Sequence, residues 1–192
     1  MHKQMSLNLE DYIFKIDDFL DQSTCKTIVS KISKLNWEKH QYYNPINNER
    51  ISYDNELSVI HKISDIEEIK VLNTKLSYAI EIYINKLNFD WYSIYSDYQP
   101  VRLNRYDKNT HMRLHCDHIH SLFDGVRKGV PVLTLLGSLN NNYKGGELVM
   151  FNEKTIKLNA GNLIIFPSNF LFPHEIKPII SGIRYSYVSW CW

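Results

Sequence analysis

The sequence has few cysteines and no strong excess of either charge. Cys25, Cys116 and Cys191 are the only three cysteines among 192 residues. An odd and sparse set of this kind does not match the disulfide framework of a small secreted domain, so a reducing compartment is favoured. Lys and Arg number 22 against 21 Asp and Glu, which gives a formal net charge of +1. This balance provides no broad field for nucleic acid or an anionic membrane surface, and nucleic acid is a disfavoured partner.

Long apolar runs are also absent. No stretch approaches the roughly 20 apolar residues that a membrane-spanning helix needs. The first twelve residues, MHKQMSLNLEDY, lack the apolar segment of a signal peptide. We therefore expect a cytoplasmic protein with no membrane partner. The sequence does not indicate an oligomeric state.

The length and composition are those of one globular domain. The chain is 44% hydrophobic and 22% charged over 192 residues, which is enough for one sizeable core and too short for two comfortable domains. We predict a single domain spanning residues 1–192. Residues 1–90 form a helical N-terminal part, and residues 91–192 form a core of β-strands.

Two segments of the N-terminal part have helical periodicity. Apolar residues recur at helical spacing from Cys25 to Leu35, and Asp21 or Ser23 is the candidate N-cap. A longer apolar stripe follows Ser64 and Glu67, which match the pattern of a capping box. This stripe consists of Ile66, Ile69, Leu72, Leu76, Ile80, Tyr83 and Leu87. The segment between the helices, residues 37–62, is polar and aromatic without a period, which predicts a long loop or irregular hairpin and suggests a lid.

From Trp91 onwards the sequence reads as short strands separated by Gly, Asn and Pro. Many short strands after two helices predict a mainly β architecture of the α+β kind. A sandwich or barrel supported by the helices is the expected arrangement.

The chemically richest stretch is LHCDHIHS, residues 114–121. On a strand, alternate side chains share a face, so His115 and Asp117 would point together while Cys116 points away. A third ligand must then come from elsewhere, and His174 is the one histidine downstream of this cluster. Two imidazoles and one carboxylate that leave open positions form the ligand set typical of non-haem Fe(II) oxygenases.

A candidate anion receptor follows His174 after ten residues. Arg184 and Ser186 share a strand face by the same period of two. A guanidinium binds a carboxylate through two parallel hydrogen bonds. An acid that chelates iron at one end and pairs with Arg184 at the other would be 2-oxoglutarate.

Five motifs carry a resemblance to a known family. In order, they are RYDKNTHMRLHCD (105–117), LTLLGSLN (133–140), YKGGELVMF (143–151), AGNLIIFPSNFLFPHEIKP (160–178) and SGIRYSYVSW (181–190). Their order and intervals resemble those of 2-oxoglutarate/Fe(II)-dependent dioxygenases of the prolyl 4-hydroxylase-like superfamily. H-x-D alone is a weak signal, but the motifs in register are specific together.

The resemblance implies a double-stranded β-helix, or jelly-roll, core with the helices packed on one sheet. It implies Fe(II) held by His115, Asp117 and His174, and 2-oxoglutarate held by Arg184 with help from Ser186. Tyr106 matches a family tyrosine that hydrogen-bonds the co-substrate. The implied reaction consumes O2, with ascorbate as a further reductant, and hydroxylates a C–H bond while succinate and CO2 are released.

The substrate and several residues keep alternative interpretations. A prolyl residue in a peptide or protein is favoured as substrate, and a free amino acid or other small molecule is the alternative. A non-catalytic, cupin-like module that uses the His118 and His120 pair is a further interpretation, although only Asp124 follows as an acidic partner. Tyr106 could equally be a core aromatic, and Trp91, Trp190 and Trp192 are expected to pack against the sheet. Collagen-directed relatives usually carry Lys at the position of Arg184, which weakens any inference about substrate.

Overall fold

The computed structural model describes residues 5–44, 46–47, 49–61, 63, 65–117 and 131–192. Among these residues it contains two α-helices, a 3-10 turn at Leu9–Tyr12 and fifteen short strands. The helices are α1 (Gln22–Ile32) and α2 (Glu67–Leu87). The strands are β1 (Phe14–Ile16), β2 (Glu38–Lys39), β3 (Tyr42–Asn44), β4 (Glu49–Ile51), β5 (Ser58–Ile60), β6 (Arg102–Tyr106), β7 (Met112–His115), β8 (Leu133–Ser138), β9 (Tyr143–Gly145), β10 (Leu148–Met150), β11 (Lys154–Ile156), β12 (Leu163–Pro167), β13 (His174–Ile176), β14 (Ile179–Gly182) and β15 (Arg184–Cys191).

Two antiparallel sheets organise the β-rich part. The larger sheet has seven strands in the order β1-β12-β8-β15-β6-β5-β2, and the smaller has four in the order β11-β10-β13-β7. Two further pairs, β14 with β9 and β3 with β4, lie outside these sheets. The mainly β class with two helices is therefore as predicted.

Each face of the larger sheet borders its own apolar core. One core joins the larger sheet to the smaller one, with Leu136, Phe166 and Val188 from the first and Met150 and Ile176 from the second. The other core joins the larger sheet to the helices. Burial of apolar side chains on both faces explains why the central strand β8 is buried along its whole length.

The helices form where the apolar spacing predicts them. Asp21 is the N-cap of α1, and its side chain accepts a hydrogen bond from the Thr24 backbone N–H at 2.8 Å. In α2 the predicted stripe is buried from Ile66 to Tyr83, while Leu87 is only partly buried. The predicted capping box is wrong, because α2 begins at Glu67 and its N-cap Ile66 makes no side-chain cap bond. Ser64 lies outside the described residues.

The N-terminal part is less purely helical than its periodicity predicts. It supplies β1 at one edge of the larger sheet and β5 and β2 at the other. Conversely, residues 91–101 contain no strand, and the first strand of the C-terminal part begins at Arg102. These short edge strands pair through backbone groups with partners far away in the sequence, which local periodicity does not reveal.

The segment 37–62 is an irregular hairpin, one of the two forms expected from its sequence. Its outer strands β2 and β5 pair with each other, and β5 also pairs with β6. Its inner strands β3 and β4 form a separate hairpin. Leu57 and Val59 are buried in the core between the sheets. The base of the segment is therefore fixed, and only the β3–β4 hairpin extends from it.

Candidate active site

Two neighbouring strands bring the two predicted histidine ligands together. His115 ends β7 and His174 begins β13, and the antiparallel register pairs them directly. Their ring centroids lie 4.4 Å apart. Asp117 lies in a turn two residues beyond β7, so its placement on the strand was wrong, although it reaches the same site.

The three side chains converge on a common point. Asp117 Oδ1 is 3.3 Å from His115 Nε2, and Asp117 Oδ2 is 3.9 Å from His174 Nε2. One ligand atom from each of the three residues lies within 4.8 Å of the others. Among the described residues, this is the one group of His, Cys, Asp or Glu with such spacing. The rings therefore face each other as the oxygenase hypothesis requires.

Backbone carbonyls orient both imidazoles. His115 Nδ1 is 2.7 Å from the Arg113 carbonyl oxygen, and His174 Nδ1 is 3.2 Å from the Phe172 carbonyl oxygen. A carbonyl only accepts, so Nδ1 is the donor in both contacts, and Nε2 is the ring nitrogen of each histidine that faces Asp117. This arrangement is typical of histidines that bind a metal through Nε2.

The carboxylate of Asp117 is held in its ionised form. Burial alone would raise its pKa, but the nearby His174 and His115 and the Thr134 hydroxyl together bring the pKa well below its usual range. Thr134 Oγ1 donates to Asp117 Oδ2 at 2.6 Å. Burial and the neighbouring His115 lower the pKa of His174 to about 4. The site therefore presents one anion and a neutral imidazole at His174 near neutral pH, which suits a divalent cation.

Arg184 is fully buried on the inner face of β15. Its Nη1 donates to Ser186 Oγ at 2.9 Å, and its guanidinium lies 4.9 Å from the centroid of the Tyr106 ring, the residue paired with it on β6. No carboxylate of the described residues forms an ion pair with it, and its Nε has no hydrogen-bond partner among them. A buried guanidinium without an ion-pair partner lowers the stability of the fold unless an anion binds it.

The glycine turn of the GGEL motif packs directly on this arginine. Gly146 has φ +69°, and a Cβ there would lie 3.1 Å from Arg184 Cδ and 2.4 Å from Ile179 Cδ1. Glycine is therefore required both by the backbone conformation and by the close approach. Glu147 of the same motif is exposed.

The triad opens into a cleft of about 290 Å³ that is continuous with solvent. Tyr106 lines this cleft, as do three residues whose roles the sequence did not reveal: Arg102, Asn104 and Trp190. The period-two faces of RLNRY and of RYSYVSW could have pointed to all three, because Arg102, Asn104 and Tyr106 alternate on β6. Trp190 packs against the core between the sheets, as expected, and also borders the cleft. Trp91 is 66% exposed and precedes the first strand of the C-terminal part, so the same expectation is wrong for it. His118, His120 and Asp124 lie outside the described residues.

The donor set fits a ferrous ion. Two imidazole nitrogens and one carboxylate oxygen on one side of an open cleft leave further coordination positions for small ligands. The unpaired guanidinium of Arg184 provides a separate receptor for an acid group. The residues therefore suit both iron and a dicarboxylate.

Comparison of the sequence with family models decides the family. The model described as 2OG-Fe(II) oxygenase superfamily matches residues 101–192. These residues belong to the 2OG-Fe(II) oxygenase superfamily. The match begins just before β6 and contains the triad, Arg184, Ser186 and Tyr106, so the resemblance inferred from the motifs is confirmed.

Curated relatives of this oxygenase segment carry the name PKHD-type hydroxylase. One from Shewanella baltica is 36% identical over 97 residues, which cover 48% of this chain and 42% of that protein. One from Stenotrophomonas maltophilia is 34% identical over 98 residues, with 48% and 43% covered. The match thus spans less than half the length of these relatives.

Solved structures support the fold over nearly the whole chain. A prolyl-4-hydroxylase from Pseudomonas putida superposes with a TM-score of 0.69 at 17% identity, and the superposition covers 94% of this chain and 92% of that chain. A viral collagen prolyl hydroxylase from Paramecium Bursaria Chlorella virus-1 gives 0.66 at 19% identity, with 94% of both chains covered. A Trichoplax adhaerens prolyl hydroxylase bound to a hypoxia inducible factor peptide gives 0.68 at 19% identity, with 94% and 83% covered. At these identities the likeness concerns the fold alone.

One further observation bears on the expectation of no membrane partner. Among the described residues, neither helix is both long and apolar enough to cross a bilayer.

Proposed function

We propose that this chain is an Fe(II)- and 2-oxoglutarate-dependent hydroxylase with His115, Asp117 and His174 as the iron ligands. The observation that carries the proposal is the convergence of these three side chains in a cleft lined by Tyr106, whose ring contacts Arg184, a buried cation with no ion pair among the described residues. We further propose that the two facing sheets form a double-stranded β-helix core, which the likeness to prolyl hydroxylase structures supports.

Each residue of the site has a defined task. The triad holds the ion, and the backbone carbonyls of Arg113 and Phe172 keep both imidazoles in the ligating tautomer. Arg184 and Ser186 bind the distal carboxylate of 2-oxoglutarate, and Tyr106 borders the same space. When bound, iron supplies the oxidation, in which O2 and 2-oxoglutarate are consumed, a substrate C–H becomes C–OH, and succinate and CO2 leave.

The chain also shields the reacting centre from water. Apolar side chains wall the cleft beside the ligands, among them Met112, Leu136, Ile176 and Val188. Exclusion of water strengthens every electrostatic contact in such a site and limits side reactions. Correct placement of the target C–H then follows from contacts with the cleft, since a displacement of about 1 Å can cost on the order of a hundredfold in rate.

A prolyl residue of a peptide or protein is the substrate we propose first. Structures of the same fold include prolyl hydroxylases, one of them with a bound peptide. A free amino acid or other small molecule is the second candidate, favoured by one specific feature of the cleft that is developed below. A non-catalytic metal-binding module is disfavoured, because a purely structural site needs neither open positions nor a buried receptor for a second acid.

We place the protein in the cytoplasm. Its three cysteines are unpaired and buried, which is in keeping with a reducing compartment.

The test measures succinate formed from 2-oxoglutarate with Fe(II), O2 and ascorbate, and the mass of a peptide and metabolite panel before and after incubation. Asp117→Ala should abolish both succinate formation and the mass gain of one oxygen atom. Asp54→Asn is the matched control, because Asp54 is a fully exposed carboxylate and pairs only loosely with Lys39 at 3.6 Å. Turnover by Asp117→Ala at the native rate would refute the ligand assignment.

A further inference from the structure

A second arginine lines the cleft and has no assigned task. Arg102 lies on the inner face of β6, four residues before Tyr106. Its Nε donates to Asn104 Oδ1 at 3.1 Å, and its Nη1 lies 3.4 Å from His40 Nε2. Its guanidinium also lies 4.9 Å from the centroid of the Trp190 ring. None of these partners is an anion, and Arg102 forms no ion pair within the described part of the chain.

Arg102 is too far from Arg184 to share its ligand. In the antiparallel register Tyr106 pairs with Arg184 and Arg102 pairs with Val188. The two arginines are thus separated by four residues along the strand direction, or about 13 Å at 3.3 Å per residue. A 2-oxoglutarate that pairs with Arg184 and reaches the iron site leaves Arg102 available for a different anion.

The surroundings of Arg102 favour a planar anion. The guanidinium lies over the Trp190 ring, and its N–H donors lie in the plane of the fork, where Nε and Nη1 contact Asn104 and His40. Such an edge matches a carboxylate, which it can bind through two parallel hydrogen bonds. Burial lowers the pKa of Arg102 and the nearby Asp117 carboxylate offsets this only in part, so a further anion would stabilise its charge.

We propose that Arg102 binds a carboxylate group of the substrate, so that the substrate is an acid rather than a neutral peptide segment. This inference rests on the proposed function and narrows its substrate class. Two sources can supply the group: the α-carboxylate of a free amino acid, or an acidic residue next to the hydroxylated position of a peptide. Arg102 is a specificity-determining residue in either case.

Binding of a small acid tests the proposal directly. Native protein is first saturated with Mn²⁺ and 2-oxoglutarate in the absence of O2, so that 2-oxoglutarate occupies Arg184. It is then titrated with N-acetyl-L-proline or N-acetyl-L-prolinamide in a calorimeter. The acid should bind at least about tenfold more tightly than the amide, since hydrogen bonds to charged groups are the stronger kind. Arg102→Met should remove this preference, and Arg102→Lys should restore part of it.

The matched control is Arg105→Met. Arg105 lies on the same strand but faces away from the cleft and pairs with Asp107 at 2.8 Å. It should keep the native preference for the acid. Equal binding of acid and amide by native protein, no binding of either, or a preference that survives in Arg102→Met would each overturn the proposal. A thermal midpoint of Arg102→Met at or above the native value shows that any loss is not caused by unfolding.

Two turnover arms separate the two sources of the carboxylate. The first compares free L-proline with L-prolinamide, and the second compares acetyl-Ala-Pro-Glu-amide with acetyl-Ala-Pro-Gln-amide. A preference for the acid in the first arm identifies a free amino acid, and in the second an acidic peptide. If neither arm shows a preference for the acid, the proposal is contradicted.

Failure of the inference and failure of the proposed function have different signatures. If Mn²⁺ and 2-oxoglutarate do not bind native protein, the proposed function is wrong. If both bind and only the preference for the acid is missing, Arg102 has another role and the oxygenase assignment is unaffected.

Discussion

Thr134 Oγ1 donates a hydrogen bond of 2.6 Å to Asp117 Oδ2 and lies 2.7 Å from Ser168 Oγ. Thr134 lies on β8, and Ser168 directly follows β12, the strand that pairs with β8. Both residues are fully buried. These two hydroxyl groups thus connect the larger sheet to Asp117, the one proposed ligand that lies beyond the end of a strand. Asp117 depends on this contact for its orientation, because the turn that carries it is not fixed by a sheet ladder.

Thr134→Val should weaken metal binding while the fold is kept. The change preserves shape but removes the hydroxyl that orients Asp117, and loss of an outer hydrogen bond to a ligand typically costs about 10–100-fold in metal affinity. Titration with Mn²⁺ measures the effect. Thr155→Val on the exposed side of β11 is the control and should bind Mn²⁺ as the native protein does. Native affinity in Thr134→Val would show that the turn alone positions Asp117.

Arg184→Met should abolish binding of 2-oxoglutarate without loss of stability. The change removes a charge-assisted, bidentate contact, which predicts a dissociation constant raised on the order of a hundredfold. Because the guanidinium is buried without an acidic partner among the described residues, its replacement by an apolar side chain should leave the thermal midpoint unchanged or higher. Calorimetry with 2-oxoglutarate and Mn²⁺ measures the first effect, and thermal unfolding measures the second. Mn²⁺ affinity is the internal control, since Arg184 is not a ligand.

The metal site was predictable because its geometry is mostly local. His115 and Asp117 are two residues apart, and the motif intervals required only one more partner, His174. The three predicted residues converge in the structure although Asp117 lies past the strand, because a turn directly after β7 keeps it near the last strand residue. The stripe of α2 was predictable for the same reason, as one face of a helix is written in consecutive residues.

What the sequence did not reveal depends on pairing between distant strands. Arg102 enters the cleft because β6 pairs with β15 in a register that places it beside Val188, and a shift by one residue would turn it outwards. The pairing of β5 with β6 similarly incorporates residues that look like loop into the larger sheet. Registers of this kind are set by the whole core rather than by local spacing.

Gly146→Ala should destabilise the protein and weaken 2-oxoglutarate binding together. The new methyl group would lie 2.4 Å from Ile179 Cδ1 and 3.1 Å from Arg184 Cδ, in a backbone with φ +69°. Overpacking and an unfavourable φ each cost about 1–3 kcal/mol. The free energy of unfolding and the affinity for 2-oxoglutarate are the two measurements.

The double variant Gly146→Ala with Ile179→Val separates the two causes. Val lacks the Cδ1 atom that the new methyl group would meet, so part of the stability should return while the backbone strain stays. If the second change gives no recovery, the cost of the first is due to the backbone alone.

The β3–β4 hairpin belongs to the segment 37–62, for which a lid is predicted, and Tyr42 connects it to the strand that carries His115. Tyr42 donates to Glu56 Oε2 at 3.0 Å and lies 3.3 Å from the sulfur of Met112 on β7, the strand that carries His115. Glu56 is buried, and its Oε1 lies 3.1 Å from Nε of Arg113, which is also on β7. The hairpin therefore contacts β7 directly at Met112 and indirectly through the carboxylate of Glu56.

Tyr42→Phe should loosen this connection at a cost of about 1 kcal/mol in stability. A hairpin that closes less firmly admits water and releases substrate early, so the ratio of succinate formed to substrate hydroxylated should rise above that of native protein. Tyr78→Phe, at an exposed position of α2, is the control and should keep the native ratio. If Tyr42→Phe loses stability but keeps the native ratio, the hairpin supports the fold and does not act as a lid.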